Sequence, residues 1–574
     1  MITTQNIQTR LCVIGGGLSG MCAAIAAARR GVPTVLVQDR PVLGGNASSE
    51  IRMHICGSRK LLESGLVEEL RLANLARNPH HNYSVWDSIL YEKVRFQENL
   101  TLLLNASCLD AEASGPADAR RIHSAKVWQL TTYTMFTIQA DYFVDASGDS
   151  ILIEPSGAEF RDGHEARAEF NETIAPVKAD RKVMGMSTLL EFREHTSPRK
   201  FIAPPWANRY PDDASLFHRE HDLGHYQNFW WIEFGGDGKQ PVLNTESVRD
   251  ELLAAAFGVA DHVKNTPGHH AENWDLEWVG FLPGKRESRR YVGDHVLTET
   301  DVRAEGKFPD VVAFGGWPLD DHNPGGFHYP GEPNIFHPAP GVFGIPYRCL
   351  YSRNVANLWM AGRNVSVSHV ALSSTRVMAT CALFGEAVGC AAAIAVRDNL
   401  SPRAVGQQRI RELQQTLLDN DCFLPGVDRD IAPSCLQAHL VASHGDAEAL
   451  RSGAMRGHVW TAASGDFVEY VLQEPAPVQE VRLVFDSDLE GRHQRHELNM
   501  RSNYPLDEPE GKLPDTLVRA YRLIGETDDH RETVLAEDRN NCRRLVKVPV
   551  QAPLRRIRLE LQSAGRVCSF DFHG

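Results

Sequence analysis

The chain has 574 residues, which at roughly 100–200 residues per domain allows about three to five domains. Apolar residues make up 42% and charged residues 23% of the chain, and this ordinary composition excludes collagen, coiled coil and low-complexity disorder. The 60 basic and 74 acidic side chains give a formal net charge of −14. That balance argues against a protein that binds nucleic acid mainly through electrostatics.

The cysteines and the apolar segments are the sequence features that bear on the cellular location of the protein. The eleven cysteines are scattered without a CxxC pair or zinc-type spacing, so we expect reduced, mostly buried thiols and no metal site. Residues 1–10 lack the basic and apolar regions of a signal peptide. The candidate membrane span Met378–Val396 contains Glu386 and is rich in alanine and glycine, which favours a buried core helix. We therefore expect a cytoplasmic protein with no membrane or nucleic-acid partner.

The N-terminal residues predict a dinucleotide-binding βαβ unit. An apolar run, a glycine turn, an alanine-rich segment and a second apolar run follow one another at residues 10–14, 15–20, 21–30 and 34–38. In this context Gly15 permits a tight turn, Gly17 lets the backbone approach a pyrophosphate, and Gly20 lets the helix lie close to the strand. The helix N-terminus, which includes Ser19, offers N–H groups and a positive dipole end to the phosphates.

The end of the second strand is where a side chain holds the ribose hydroxyls. Gln38 and Asp39 both stand there, and both stay candidates for that contact. The segment that follows contains Gly44, Gly45 and Asn46. Here the sequence resembles the glutathione-reductase-type FAD-binding fold, in which a second Gly-Gly pair follows the ribose-binding strand. The resemblance favours FAD over NAD and implies that this segment passes near the cofactor.

Two later segments are similar to the same family. Residues 141–149 read as a strand that ends in Ala-Ser-Gly-Asp, and residues 357–364 read as a strand that ends in Gly-Arg. The contacts with the dinucleotide that the resemblance implies are Ser147, Gly148, Asp149, Gly362 and Arg363. Arg363 would pair with the pyrophosphate in a bidentate contact. Between the landmarks, residues 100–138 alternate apolar and polar side chains, which predicts an antiparallel β-meander.

An apolar helix is predicted from about Ser373 to Arg397. Its candidate N-caps are Ser373, Ser374 and Thr375. The resemblance implies that the N-terminus of this helix, with Arg376, Val377 and Met378, points at the flavin. The positive end of the helix dipole would stabilise the anionic reduced flavin.

The landmarks in this order, with segments 49–54 and 283–290, resemble the bacterial FAD-dependent oxidoreductases related to fumarate-reductase-type flavoproteins. We therefore predict an α/β fold with a Rossmann-like FAD-binding domain, an inserted α+β substrate domain and a C-terminal all-β sandwich. The C-terminal strands, with Trp460, resemble discoidin-type, galactose-binding-like jelly rolls. The predicted boundaries are 1–155 for the first FAD-binding part, 156–340 for the substrate domain, 341–430 for the last FAD-binding part and 431–574 for the sandwich.

The proton acceptor is predicted to be a histidine, because its pKa is near neutrality. His369 falls between the Gly-Arg landmark and the flavin-facing helix, so it is the first candidate. His322, His54 and Arg52 are the other catalytic candidates. In the favoured reaction the histidine takes a hydroxyl proton while hydride goes to flavin N5.

The substrate is predicted to be a small molecule. The aromatic inserts and the sandwich favour a carbohydrate or polyol that is oxidised at a CHOH group. One alternative is a fumarate-reductase-like enzyme that reduces or forms a C–C double bond in a carboxylate substrate. Another is a catalytically idle flavoprotein that acts as a binding module. We expect noncovalent FAD and allow for a homo-oligomer.

Overall fold

In the computed structural model, the described residues are 2–224, 227–490 and 500–574. The N-terminal elements are β1 (Thr3–Ile14), α1 (Leu18–Arg29), β2 (Thr34–Val37), α2 (Leu66–Arg77), α3 (Tyr83–Arg95), β3 (Leu100–Leu103), β4 (Ala106–Ser114), β5 (Arg121–Gln129) and β6 (Thr134–Asp145). The last four residues of β1 are apolar and buried. The chain then turns at Gly15, whose φ of 103° lies in the left-handed region that glycine tolerates.

The strands of this part form one sheet in the order β3-β2-β1-β6-β5-β4. β1 pairs in parallel with β2 and β6, and β2 pairs in parallel with β3. β4, β5 and β6 pair antiparallel, which confirms the β-meander. The β1–α1–β2 crossover therefore places the glycine turn at the carboxyl end of β1, where open α/β sheets bind ligands.

The middle of the chain contains short strands and a long helix. Its elements are α4 (Ile153–Ser156), β7 (Phe160–Arg161), α5 (Arg167–Phe170), β8 (Met186–Ser187), β9 (Leu190–Glu194), β10 (Glu233–Phe234), α6 (Thr245–Asn265), β11 (Trp274–Val279), β12 (Gly284–Lys285), β13 (Arg290–Tyr291), α7 (Glu299–Arg303), β14 (Val311–Gly315), β15 (Leu319–His322), β16 (Asn334–His337), β17 (Phe343–Pro346) and β18 (Leu358–Met360). β8, β10 and β12 form a three-stranded sheet, and β15 pairs with β16. β18 joins the first sheet beside β6.

A hydrophobic core of its own lies in this middle part. It is centred on Phe192, Phe229 and Phe327 and is built from residues between Met186 and Phe327. All of them fall inside the range 156–340 that the sequence predicts for the substrate domain.

Two consecutive helices, α8 (His369–Thr375) and α9 (Met378–Asp398), stand where the sequence predicts one. The break lies at Arg376 and Val377, and Val377 is the extended N-cap of α9 without a capping side chain. The residues predicted as caps lie inside α8: Ser373, Ser374 and Thr375. That part of the prediction is therefore wrong, because Ser368 caps the shorter first helix through the N–H of Ala371.

α9 packs closely against α1, and this close approach requires the small glycine and alanine residues of α9. A Cβ added at Gly385 would lie 1.9 Å from the Ser19 carbonyl oxygen, and one at Gly389 would lie 2.3 Å from the Ala23 carbonyl oxygen. By length and composition α9 is able to cross a membrane, with a mean hydropathy of 1.8, but 89% of its apolar window is buried within the protein. Such burial is typical of a core helix.

The remaining elements are α10 (Pro402–Gln408), α11 (Ile410–Asp419), α12 (Pro433–Gln437), β19 (His439–Ala442), β20 (Trp460–Ala462), β21 (Phe467–Phe485), β22 (Tyr521–Glu526), β23 (Glu532–Asp538), β24 (Leu545–Leu561) and β25 (Gly565–His573). The strands form an antiparallel sheet in the order β20-β25-β21-β24-β22-β23, with β19 against β21. Val468, Tyr470 and Phe570 are among its buried core residues. The predicted α/β fold followed by an all-β C-terminal part is confirmed.

The chain divides into two units that exchange segments. The first unit comprises Met1–Arg59, His80–Leu413 and Asn499–Glu510, and the second comprises Lys60–Pro79, Gln414–Leu498 and Gly511–Gly574. Leu72 of α2 belongs to the core of the second unit. Asn503 belongs to the first unit, where its side-chain oxygen accepts from the Phe192 N–H at 2.8 Å. The predicted boundaries at 155 and 340 fall inside the first unit, so its division into FAD and substrate domains stays a prediction.

Candidate active site

A cavity of about 740 Å³ lies in the first unit at the carboxyl ends of β1, β2 and β6. This volume is typical of small-molecule sites, which have about 300–1,000 Å³. The predicted cofactor residues that line it are Gly15, Gly17, Ser19, Gln38, Asp39, Gly44, Gly45, Asn46, Ser147, Gly148, Asp149, Gly362, Arg363, Arg376, Val377 and Met378. Residues from three distant parts of the chain therefore meet around one space.

Glycine is needed for different structural reasons at the three positions of the first turn. A Cβ at Gly15 would lie 2.4 Å from the Ala146 carbonyl oxygen, and one at Gly20 would lie 1.8 Å from the Gly15 carbonyl oxygen. A Cβ at Gly17 would meet nothing closer than the Gly45 Cα at 3.8 Å. Gly15 and Gly20 are thus required by the protein's own packing, whereas the space beside Gly17 opens into the cavity. Gly20 is the predicted cofactor residue outside the cavity lining.

Gln38 and Asp39 differ in how their side chains are used. The buried Gln38 accepts a hydrogen bond from the Gly16 N–H at 2.7 Å through Oε1 and donates one to the Val42 carbonyl at 2.9 Å through Nε2. Both polar ends of its amide therefore support the glycine turn. The Asp39 side chain is 62% exposed and its nearest cation is Arg40 at 3.7 Å. The geometry favours Asp39 for the ribose hydroxyls.

A charged cluster borders the middle of the cavity. Asp149 Oδ1 accepts from Arg363 at 2.7 Å, and its Oδ2 accepts from Lys285 Nζ at 2.6 Å. Burial opposes ionisation of Asp149, but the two cations outweigh it and lower the pKa of its carboxyl. The cluster carries two positive charges and one negative charge, so its net charge suits a pyrophosphate.

The far end of the cavity is formed by the antiparallel pair β15 and β16. Successive strand residues point to opposite faces, so Asp320 and His322 share one face. The register places Phe336 opposite Asp320 and Asn334 opposite His322. These four side chains line the cavity together with Trp317. Asp320 accepts from Trp317 Nε1 at 3.1 Å and from Arg376 at 3.0 Å.

His322 is held by a buried carboxylate. Its Nδ1 lies 2.7 Å from Glu233 Oε2, and its Nε2 lies 3.5 Å from Asp320 Oδ2. Arg286 lies 3.3 Å from the same Glu233 oxygen and donates to Ser187 Oγ at 2.8 Å. Burial raises the pKa of Glu233, but Arg286 and His322 outweigh it and lower that pKa to about 2. Glu233 is therefore ionised and fixes the orientation of the His322 ring.

A family model described as FAD dependent oxidoreductase matches residues 11–417, which is more than half of the chain. The chain belongs to this family. It is therefore an FAD-dependent oxidoreductase, and FAD is its cofactor. The predicted cofactor and enzyme class are confirmed.

The solved structures that match parts of this oxidoreductase have low identity and low TM-scores. A geranylgeranyl bacteriochlorophyll reductase-like protein from Thermoplasma acidophilum is 12% identical with a TM-score of 0.32, over 72% of this chain and 86% of that chain. THI4 from Thermovibrio ammonificans is 16% identical with a TM-score of 0.22, over 30% and 76%. CpGH89CBM32-6, produced by Clostridium perfringens, is 11% identical with a TM-score of 0.17, over 24% and 93%. No curated protein sequence matches. At these TM-scores the likenesses carry no functional information.

FAD fits the polar atoms that line the cavity of this oxidoreductase. Ser19 Oγ, Arg363 Nε and Arg376 Nε are buried and have no hydrogen-bond partner within the described part of the chain. A buried donor without a partner is costly, and phosphate or flavin oxygens would satisfy these groups. The open space beside Gly17 is the approach that a pyrophosphate needs. Residues of the glycine turn and the charged cluster would therefore hold the dinucleotide.

The other catalytic candidates lie in different surroundings. His54 lines the cavity, its Nε2 lies 2.8 Å from Ser502 Oγ, and burial lowers its pKa to about 4. Such a weak base is poorly matched to proton abstraction near neutral pH. Arg52 lies outside the described cavity lining, pairs with Glu191 and stacks on Trp278 at 4.4 Å. Its position indicates a structural role.

His369 lies outside the described cavity lining. Its Nδ1 is 3.0 Å from the buried Glu287, its Nε2 is 3.6 Å from Asp321, and its ring packs on His164 at 3.9 Å between centroids. Burial opposes protonation of His369, but Glu287 and Asp321 outweigh it and raise its pKa to about 10. His369 is a buried imidazolium outside the described cavity lining, so this position does not support the predicted base role.

Several side chains that line the cavity or contact His322 are not predicted from the sequence. They are Ser187, Asn228, Glu233, Asn334 and Phe336. Most of them lie on or beside two- to four-residue strands, which give little periodic signal. The alternation of Asp320 and His322 along β15 is the signal that places these two side chains on one face. Arg286 belongs to the segment 283–290 that carries part of the resemblance, and it forms a salt bridge with Glu233.

Proposed function

We propose that this FAD-dependent oxidoreductase oxidises a CHOH group of a neutral, polyhydroxylated substrate such as a carbohydrate or polyol, with His322 as the general base. The observation that carries the proposal is the Glu233–His322 pair at 2.7 Å, with the imidazole facing the end of the cavity that Arg376 also lines. FAD, when bound, supplies the two-electron acceptor for the hydride of the carbinol carbon.

The pair assigns the proton positions on His322. A carboxylate accepts hydrogen bonds, so Nδ1 carries the proton that is donated to Glu233. In the neutral form of the ring, Nε2 has a lone pair, and this is the atom that takes the proton of the substrate hydroxyl. Asp320 lies 3.5 Å from Nε2 and stabilises the imidazolium that results. Glu233 is a positioning residue, because it acts through His322.

The lining of this end suits hydroxyl groups and C–H faces. Ser187, Asn228 and Asn334 offer donors and acceptors along the cavity wall. Trp230 and Trp317 supply aromatic surfaces in the same lining. Hydrogen-bonding side chains together with aromatic rings suit a ring or chain that carries both hydroxyls and C–H groups.

The charge balance favours a neutral substrate over a carboxylate. Arg286 pairs with Glu233 at 3.3 Å, and Arg376 pairs with Asp320 at 3.0 Å. Both of these arginines therefore already have a carboxylate partner. At either arginine, a substrate carboxylate would have to compete with a buried, ionised carboxylate that is already in place.

The test is anaerobic stopped-flow observation of flavin absorbance against matched panels of sugars, polyols and saturated carboxylates. The proposal expects bleaching by neutral polyhydroxylated compounds. Bleaching by carboxylates alone, or reoxidation of the reduced enzyme by an unsaturated carboxylate, would establish the C–C bond reaction instead. A flavin that no compound in either panel bleaches would favour the idle binding module.

A further inference from the structure

A second polar cluster lies apart from the flavin cavity, in the middle part of the chain. It consists of Asp213, His221, His262 and His269, which we call the histidine cluster. One nitrogen or oxygen atom from each residue lies within 4.8 Å of those of the other three. All four residues lie outside the described cavity lining. The proposed oxidation does not use them.

The four side chains come from three places in the fold. Asp213 starts a short 3-10 turn, and His221 follows this turn. His262 is in the last turn of α6, and His269 is in the loop that follows. His262 is fully buried, whereas the Asp213 side chain is 55% exposed. The cluster therefore has a buried floor and a side that a small ion can reach from solvent.

The distances between the converging atoms fit a tetrahedral metal site. His262 Nε2 lies 3.1 Å from His269 Nε2 and 3.2 Å from Asp213 Oδ1. Asp213 Oδ1 lies 3.7 Å from His221 Nε2 and 3.9 Å from His269 Nε2. A tetrahedron with metal–ligand bonds of about 2.0–2.1 Å has edges of about 3.3 Å. Small adjustments of the side chains bring all four atoms to bonding distance of one centre.

Two of the rings have their proton positions fixed from outside the cluster. His262 Nδ1 lies 2.8 Å from the Tyr210 carbonyl oxygen, and His221 Nδ1 lies 2.5 Å from the Arg219 carbonyl oxygen. A carbonyl only accepts, so each Nδ1 donates, and each Nε2 of the neutral ring presents a lone pair. Such outer hydrogen bonds to backbone carbonyls are the usual support of metal-bound histidines. The cluster therefore directs two imidazole lone pairs and a carboxylate oxygen at one point.

We propose that the histidine cluster binds a divalent transition-metal ion, with Zn²⁺ as the preferred occupant. Three imidazoles and one carboxylate are a borderline donor set that suits zinc. Four protein ligands close the coordination sphere, which is the arrangement of structural rather than catalytic zinc.

The ion would tie the segment around residue 213 and His221 to the end of α6. Glu220, next to His221, accepts from Trp231 Nε1 at 2.8 Å through its carbonyl oxygen. Trp230, the residue before Trp231, lines the cavity. Metal binding therefore stabilises the part of the fold that carries one aromatic wall of the substrate end. The sequence analysis predicts no metal because it considers cysteine spacing, whereas the residues of this cluster are three histidines and an aspartate.

The test measures bound metal in the purified full-length protein. Inductively coupled plasma mass spectrometry of the wild type is expected to find one zinc per chain. After chelation, titration with Co²⁺ is expected to give the strong visible absorption of a four-coordinate site and to saturate at one equivalent. Binding of Zn²⁺ is then measured by competition with Co²⁺.

The variants are His269→Ala and His270→Ala. His269 is half-buried and is a proposed ligand, whereas the neighbouring His270 is exposed and lies outside the cluster. We expect His269→Ala to weaken Zn²⁺ binding by at least about 100-fold, because even outer hydrogen-bond partners of metal ligands contribute about 10–100-fold. His270→Ala is expected to bind Zn²⁺ like the wild type. Chelation should lower the melting temperature of the wild type and of His270→Ala.

Two results would overturn the proposal. One is a wild-type protein that neither contains zinc nor binds Co²⁺ after chelation. The other is a His269→Ala variant that binds both ions as tightly as His270→Ala does. In either case the four side chains form a hydrogen-bond network only. FAD content and flavin reduction are measured on the same samples, so a failure here is distinguishable from a failure of the proposed oxidation.

Discussion

His369 Nδ1 lies 3.0 Å from a Glu287 carboxylate oxygen, and both side chains are buried. The titratable groups that surround this imidazole are Glu287, Asp321, His164 and Glu165. Glu287 and Asp321 keep His369 protonated, so its contribution is to the free energy of unfolding. That contribution is complete below the ordinary histidine pKa of 6.5 and is lost as pH rises towards the folded pKa of about 10.

We therefore predict that His369→Gln lowers the free energy of unfolding by about 1.5–3 kcal/mol at neutral pH, the usual range for a hydrogen bond to a charged group. The wild type should lose stability between about pH 6.5 and about pH 10, and the variant should lose less over the same range. Denaturant titration across this range measures both. Parallel pH profiles would show that His369 does not titrate as inferred.

His322→Gln is expected to keep FAD bound and to slow flavin reduction by the best substrate by about 10²–10⁴-fold, the usual contribution of a general base. The rate loss arises because glutamine cannot accept the hydroxyl proton. The matched control is His328→Gln, since His328 is exposed and lies outside the described cavity lining. Single-turnover stopped-flow measurement of the flavin reduction rate in both variants tests this prediction. An unchanged rate in His322→Gln would remove this residue from the proposed chemistry.

Gly17→Ala and Gly20→Ala separate cofactor approach from packing. A Cβ at Gly17 meets only the Gly45 Cα at 3.8 Å, so the apoprotein should keep its melting temperature. Its FAD affinity should fall at least about tenfold, or about 1.4 kcal/mol, because the methyl group stands where the pyrophosphate approaches. Gly20→Ala should instead destabilise the apoprotein by about 1–3 kcal/mol or more, since its Cβ would lie 1.8 Å from the Gly15 carbonyl oxygen.

Fluorescence titration of each apoprotein with FAD, beside thermal melts without FAD, gives the two readouts. A Gly17→Ala apoprotein that melts early would mean that this glycine serves the fold. Unchanged FAD affinity in that variant would mean that the dinucleotide lies elsewhere.

Glu233→Gln tests the positioning role through pH. The wild-type carboxylate has a folded pKa of about 2, so its stabilisation is complete above the ordinary value of 4.5 and is lost as pH falls from about 4.5 towards about 2. The variant lacks this group, so its melting temperature should fall less steeply on acidification. It should also reduce its flavin more slowly and with an altered pH profile, because His322 is then free to change tautomer. Identical acid profiles of both proteins would contradict the assignment.

The cofactor half of the site was predictable because its geometry depends on backbone. A turn that needs Gly15, and a helix that can approach only at Gly20, leave their requirements in the sequence itself. The same reasoning left Gln38 and Asp39 equivalent, since only the fold shows that the Gln38 amide is used by Gly16 and Val42.

The substrate half was predictable only in part. His322 was a candidate, but its partner Glu233 is 89 residues earlier in the chain and lies on a two-residue strand. Nothing in the local pattern links these residues, because a pair of this kind is created by tertiary packing. His369 was favoured for its place beside the cofactor helix, and packing placed Glu287 against it instead. Proximity to a landmark in the sequence therefore predicts the region in which a residue lies, but not the direction in which its side chain points.

The exchange of segments between the two units bears on biosynthesis. The chain passes from one unit to the other at five places, after residues 59, 79, 413, 498 and 510. Ser502 and Asn503 hydrogen-bond to His54 and to the Phe192 N–H. During translation, the first unit therefore cannot complete its folding until these two late residues have been synthesised. A fragment that stops at residue 413 would lack both partners. The first unit is therefore best produced as part of the 574-residue chain. Its activity is better studied with point substitutions than with truncated fragments.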